Sequence, residues 1–256
     1  VSLGPLTEDG FLDGKLRLRQ PKNGYRAATD PVFLAAAVPA RPGDQVLDLG
    51  CGAGAALYCL AARVADLKLV GVEVQSGYAA LARENAALNG LTAEIIEGDL
   101  TAPPPGFRTL AVDHVLTNPP FFAAEGSTTS DDLGRDRAHR QTAGELGMFL
   151  DQGLRRLKPG GSFTIIHRVE ALPEILTGLA QRTGRTRVLP LSARAGRPAK
   201  RILVQARKGA RGPLELLAPM IIHAEAHHGT DGADFTEVAQ RILRDGIGVP
   251  SLSDPR

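Results

Sequence analysis

Tryptophan is absent from this chain of 256 residues, and aromatic side chains of every kind make up only 4% of it. A core built on aromatics is thereby excluded; the apolar fraction is mostly Ala, Leu and Val. The few aromatics must be located singly, and Phe121 and Phe122 follow directly on a proline pair. Cysteine is nearly missing as well. Cys51 and Cys59 flank an expected loop-to-helix junction, which argues against a disulfide, against metal spacing, and for a reducing compartment. His227 and His228, side by side without Cys or acids at metal spacing, do not make a metal site. No apolar run approaches the roughly 20 residues that cross a bilayer. No signal peptide is read before the first strand. The expected location is the cytoplasm, with no membrane and no metal as partner.

Net charge is scarce too, at +2, but its distribution is uneven. Ten Lys or Arg and no Asp or Glu lie between Arg182 and Arg211. Such a run is either an electrostatic footprint for phosphate backbones or a solvated rim. Arg194, Arg197, Lys200 and Arg201 are the candidate RNA contacts within it.

Hydrophobic periodicity gives alternating strands and helices. Residues 15–19 alternate charge and Leu as an exposed strand does. Asp30 as N-cap and Pro31 at the first helical position would open a helix over 32–38. Strands are expected at 45–49, 68–74, 93–97, 112–116 and 162–167, with helices at 55–64, 77–89 and 143–157. A polar stretch from Asn118 to Thr142 is too long for a simple connection. Residues 186–191 and 202–206 form a closing strand pair around the basic loop. The expected fold is α/β: a Rossmann-like, doubly wound, mostly parallel sheet with an antiparallel closing strand. One domain spans 1–256, in which 1–44 form an N-terminal hairpin and helix capping the cofactor pocket and 45–256 the Rossmann-like core.

Two motifs carry the chemistry. Asp48-Leu49-Gly50-Cys51-Gly52-Ala53-Gly54 lies between a strand and a helix, where glycines permit a tight turn and close approach of backbone to ligand. The glycines alone would also suit a dinucleotide. Asp48 ahead of them, Glu73 at the tip of the next strand for ribose hydroxyls and Asp99 after the third strand for an adenine amine favour S-adenosylmethionine. Asp99 can equally be a turn cap. Cys51 reads as a packing residue.

Asn118-Pro119-Pro120-Phe121 follows about 70 residues later. An amine on an aromatic ring is a poor nucleophile, because its lone pair is delocalised. Asn118 Oδ1 and the Pro119 carbonyl can accept its two N–H bonds, the prolines stiffen the segment, and Phe121 offers a stacking face. Placement rather than proton transfer would supply most of the rate.

These motifs resemble those of class I S-adenosylmethionine-dependent amino-methyltransferases. More narrowly, Asn23-Gly24-Tyr25-Arg26-Ala27-Ala28-Thr29-Asp30 followed by an apolar helix resembles the start of the bacterial tRNA(Val) adenine-N6 methyltransferases, which belong to the methyltransferase small domain group. The likeness covers roughly residues 12–245. It implies methylation of the adenine just 3′ of an anticodon, with tRNA as partner and Thr29 helping to close the cofactor pocket. Phe121 stands where many relatives carry Tyr. Guanine N2 of ribosomal RNA, a glutamine side chain in a protein, and a module that binds RNA without catalysis are the alternatives. The polar loop around Arg135 to Arg140 would clamp the substrate or form a lid.

Overall fold

The structure is a computed structural model that describes residues 3–23, 26–120, 132–224 and 234–252, with backbone alone for 132–143. Phe121, Phe122, His227 and His228 lie outside the described residues, as do the side chains of Arg135 to Arg140.

The chain opens with an antiparallel hairpin of β1 (Leu6–Phe11) and β2 (Leu16–Pro21), then α1 (Asp30–Ala37). Alternation follows: β3 (Gln45–Leu49), α2 (Ala55–Arg63), β4 (Lys68–Glu73), α3 (Ser76–Leu88), β5 (Ala93–Glu97), a short α4 (Pro105–Arg108) and β6 (Val112–Thr117). The second half holds α5 (Asp132–Arg156), β7 (Leu157–Arg168), α6 (Leu172–Leu179), β8 (Thr183–Ser192) and β9 (Arg201–Lys208). Two short strands follow, β10 (Glu215–Leu216) and β11 (Met220–Ile221), then α7 (Glu237–Gln240), which continues into a π-helical turn over Arg241–Asp245, and a 3-10 turn at Pro250–Leu252.

The sheet order is β10-β8-β9-β7-β6-β3-β4-β5, with β11 also beside β8. Strands β3 to β7 are parallel to their neighbours, and only β9 runs against the rest. The order reverses between β3 and β6, so their carboxyl ends open the crevice in which such sheets bind ligands. Because β9 is reversed, Arg201 at its start pairs with Arg168 at the end of β7. The basic β8–β9 loop therefore lies on the same edge as that crevice.

Apolar side chains cover both faces, as a parallel sheet requires. On one side Val46, Leu57, Leu60 and Ala82 join α1, α2 and α3 with Leu16 and Leu18 of the hairpin. On the other, Leu47, Leu49, Val115 and Phe163 pack with Leu150 and Leu154 of α5 and Ile175 of α6. Gly153 lets α5 approach β7: a Cβ there would stand 2.4 Å from the Phe163 ring.

Three expectations are corrected. Asp30 is the first residue of α1 rather than its cap; Thr29 precedes it, and the Asp30 carboxylate is drawn instead to Arg201, 3.0 Å away. Helix α5 begins at Asp132, not near 143, because 132–142 contain no proline and several good helix formers. Strand β7 begins at Leu157 and carries the Lys158 to Gly161 turn signal inside it, through a register shift against β6 between Val112 and His114.

Candidate active site

The glycine loop leaves β3 and folds back over β4: the amides of Gly50 and Cys51 both donate to the Val72 carbonyl, at 2.9 and 3.0 Å. Gly54 opens α2 with φ of 87°, and a Cβ there would fall 2.1 Å from the Tyr58 ring. A Cβ added at Gly52, at φ of 54°, would meet nothing within 4 Å, so the side-chain face of that residue is open. Cys51 packs its sulfur where Gly71 leaves room, and burial pushes its thiol well up, which makes it a packing residue and not a nucleophile.

Asp48 is 2% exposed, on the α1–α2 face of β3. Burial, and then repulsion from Glu73, holds its carboxyl well above the usual carboxylate range, against a lowering by the Leu57 amide. Glu73 is nearly as buried. Its Oε2 accepts from the Gly52 amide at 3.0 Å and its Oε1 from the Gln75 amide at 2.9 Å. It thus sets the shape of the loop. Asp99 is exposed and accepts from the Thr101 amide at 2.8 Å, which holds its carboxyl below the usual range. The turn-cap reading of Asp99 is therefore observed.

Asn118 follows β6 directly. Thr117 fixes its position by donating from a buried hydroxyl to the Leu49 carbonyl at 2.8 Å, tying the ends of β6 and β3 together. Asn118 then lines one cavity with Asp48, Gly50, Gly52, Ala53 and Tyr78. Its remaining wall comes from the N-terminal segment, through Gln20, Ala27 and Pro31. Of the residues expected at the cofactor, Asp48, Gly50, Gly52 and Asn118 are thus brought together. Thr29, Gly54, Glu73 and Asp99 do not line this cavity. Thr29 instead anchors α1, its carbonyl accepting from Val32 and Phe33. Pro119 is buried and Pro120 exposed.

Residues 28–189 match the methyltransferase small domain. The chain belongs to that family. A tRNA1(Val) (adenine(37)-N6)-methyltransferase from Dickeya chrysanthemi is 27% identical over 221 residues, 83% of this chain and 85% of the relative. A ribosomal RNA small subunit methyltransferase C from Pseudomonas fluorescens is 34% identical, but over 44% of this chain and only 34% of its own length. Among solved structures, a predicted O-methyltransferase from Agrobacterium tumefaciens superposes with a TM-score of 0.68 at 26% identity, covering 89% of this chain and 99% of that one. The fold is also that of the Thermus thermophilus 16S rRNA N2 G1207 methyltransferase, with a TM-score of 0.55 at 20% identity over 80% of this chain and 50% of that one.

On this methyltransferase the basic run of the sequence is partly neutralised by acids from elsewhere in the chain. Arg182 pairs with Asp151, Arg187 with Glu215, Arg194 with Asp234 and Arg201 with Asp30, all at 2.8–3.0 Å. Arg194 is buried, so its expected role as an RNA contact is corrected to that of an internal brace. Arg201 is half-buried and ties β9 to α1. Arg197 and Lys200 are exposed and form no ion pair among the described residues. His114 is buried between Ser162 and Asp44 at the far end of the sheet. Burial pushes His167, near the end of β7, down to about 4.

Gln20 and Tyr78 are cavity residues that motifs alone do not point to. For Gln20 a signal is present, however. Leu16, Leu18 and Gln20 share the buried face of an alternating strand, and a glutamine on such a face needs a polar partner.

Proposed function

We propose that this methyltransferase transfers a methyl group from S-adenosylmethionine to the N6 amine of an adenine in structured RNA, with tRNA as the substrate. The observation that carries this reading is the division of charge along the carboxyl edge of the sheet. Asp48, Glu73, Glu97 and Asp99 stand at or just beyond the ends of β3, β4 and β5. Arg168, Arg197, Lys200 and Arg201 stand at the end of β7, in the β8–β9 loop and at the start of β9, and outnumber the nearby Asp30 and Glu170. Asn118 sits at the boundary. An edge of this kind suits a cationic cofactor on one side and a polyanion on the other.

The cavity fits the cofactor chemically. Gly52 leaves its side-chain face open to a ligand, and the buried Asp48, whose carboxyl is disfavoured in its charged form by burial and Glu73, would be matched by a positively charged group. S-adenosylmethionine, when bound, supplies an electrophilic methyl on a sulfonium centre. Asn118 accepts one N–H of the target amine and the Pro119 carbonyl the other, so that the nitrogen lone pair is turned toward the methyl. No base is needed before transfer, since the proton leaves afterwards. The loop holding Arg197 and Lys200 is two to three strands from β6, roughly 10–15 Å at normal strand spacing. That distance puts cationic side chains within reach of phosphates beside a base turned out of its stack. Such a substrate puts the protein in the cytoplasm.

Adenine is favoured over guanine N2 and over glutamine because the adenine-N6 relative is similar over most of both chains. In sequence, the ribosomal RNA and glutamine methyltransferases are similar over about half of this chain or less. Neutralising Arg197 and Lys200 together tests the RNA half of the reading. For each phosphate that then goes unneutralised, the slope of log affinity against log salt should become shallower by about 0.9. An unchanged slope would reduce this loop to a solvated rim.

A further inference from the structure

Gln20 is 2% exposed, yet it lines the same cavity as the glycine loop and Asp48. Its amide has two N–H bonds and two carbonyl lone pairs to place. Nε2 donates to Asp9 Oδ2 at 2.7 Å, and Oε1 accepts from the Ala27 amide at 2.7 Å. A carboxylate only accepts and a peptide N–H only donates, so these partners decide which end of the amide is nitrogen. Asp9 is held in turn by Arg26, 2.6 Å from the same carboxylate oxygen. Arg26 also donates to Thr7 Oγ1 at 2.7 Å and to the Pro21 carbonyl at 2.8 Å. The hairpin and the segment leading to α1 are thus clamped around one amide. That amide keeps one N–H and one lone pair uncommitted at a cavity wall, where leaving a polar group unused is costly.

The amino-acid end of S-adenosylmethionine carries an ammonium and a carboxylate, and needs an acceptor and a donor. Asp48 provides the acceptor. No lysine or arginine lines the cavity among the described residues, and Gln20 is a neutral donor there that can meet the carboxylate. Glu73 is committed to the Gly52 amide and does not line the cavity, whereas Gln20, Ala27 and Pro31 do.

We propose that Gln20 is a cofactor-binding residue whose second amide N–H donates to the carboxylate of that amino-acid end, across from Asp48. The proposal rests on the reading of this cavity as the cofactor pocket. Gln20 precedes the segment 28–189 that matches the family, so the family match does not imply it.

The test is calorimetric binding of S-adenosylhomocysteine and of 5′-methylthioadenosine, which lacks the amino-acid end. Wild type, Gln20→Leu and Gln20→Glu are compared. Loss of a hydrogen bond to a charged group should weaken S-adenosylhomocysteine at least about tenfold in Gln20→Leu and leave 5′-methylthioadenosine within about twofold. Gln20→Glu keeps an acceptor for the Ala27 amide, and should lose S-adenosylhomocysteine more severely through charge repulsion. Equal losses for both ligands would make Gln20 a purely structural clamp and overturn the proposal. So would no loss for either. If wild type binds neither ligand, the cofactor reading falls and takes this proposal with it; wild-type binding with an unchanged ligand ratio in both variants removes Gln20 alone.

Discussion

Asn118 and Asp48 face one cavity but carry different burdens, and single substitutions should separate them. In the role proposed for Asn118, on the acceptor amine, Asn118→Ala should lower turnover by about a hundredfold or more, as removal of one oriented polar group does elsewhere. Affinity for the cofactor should stay nearly unchanged; equal loss of both would move Asn118 out of its assigned role. Asp48 holds its proton more tightly in the folded chain than in the unfolded one, because burial raises its pKa. The stability it contributes is therefore greatest in acid and is lost as pH rises through the folded value. Asp48→Asn should raise the melting temperature at neutral pH while weakening cofactor binding. In wild type, affinity for a cationic cofactor should climb with pH as Asp48 ionises. A profile that stays flat at every pH above the usual carboxylate range would detach that carboxylate from the ligand.

Whole elements depend on partners that motifs do not show. The exposed-looking β2 is attached to α3 by two asparagines one turn apart. Asn85 Oδ1 accepts from the Arg19 amide at 2.8 Å, and its Nδ2 donates to the Arg19 and Ala53 carbonyls, both at 3.0 Å. Asn89 repeats the pattern on Arg17, at 2.9 and 2.7 Å. The helix thus supplies, through side chains, hydrogen bonds that a neighbouring strand would give. Asn85→Ala strands buried backbone groups and should cost about 2 kcal/mol, or roughly 4–8 °C for a domain of this size. Hydrogen exchange should speed up in β2 first. Unchanged exchange there would mean that the hairpin is held by its Leu16 and Leu18 packing alone. The alternation of β3 to β6 with their helices was legible because apolar period and glycine punctuation are local signals. The expected N-terminal hairpin is present as β1 and β2, whereas helix α6 was not foreseen, nor were β10 and β11, two-residue strands that exist only through pairing with β8. The start of α1 was misplaced for the same reason: Asp30 bonds Arg201, 171 positions away. Of the site, Asp48, Gly50, Gly52 and Asn118 were legible from their motifs. Gln20 was not, because its meaning lies in partners brought together by the hairpin.

At the scale of the molecule, a net charge of +2 conceals a divided edge. Folding brings acids to four of the ten basic residues of the run and leaves Arg197 and Lys200 outward beside the crevice. The charge run in the sequence therefore overstated the basic surface, because the acids that neutralise it come from distant parts of the chain. Methyl transfer from labelled S-adenosylmethionine into unmodified tRNA, ribosomal RNA and total protein, with mass spectrometry of the product, tests the divided edge and the Asn118 site together. Label recovered as N6-methyladenosine in a single tRNA species is the result expected. Label in guanine or in glutamine would contradict the substrate while leaving the chemistry in place, and no label despite cofactor binding would contradict the assignment of Asn118 as catalytic.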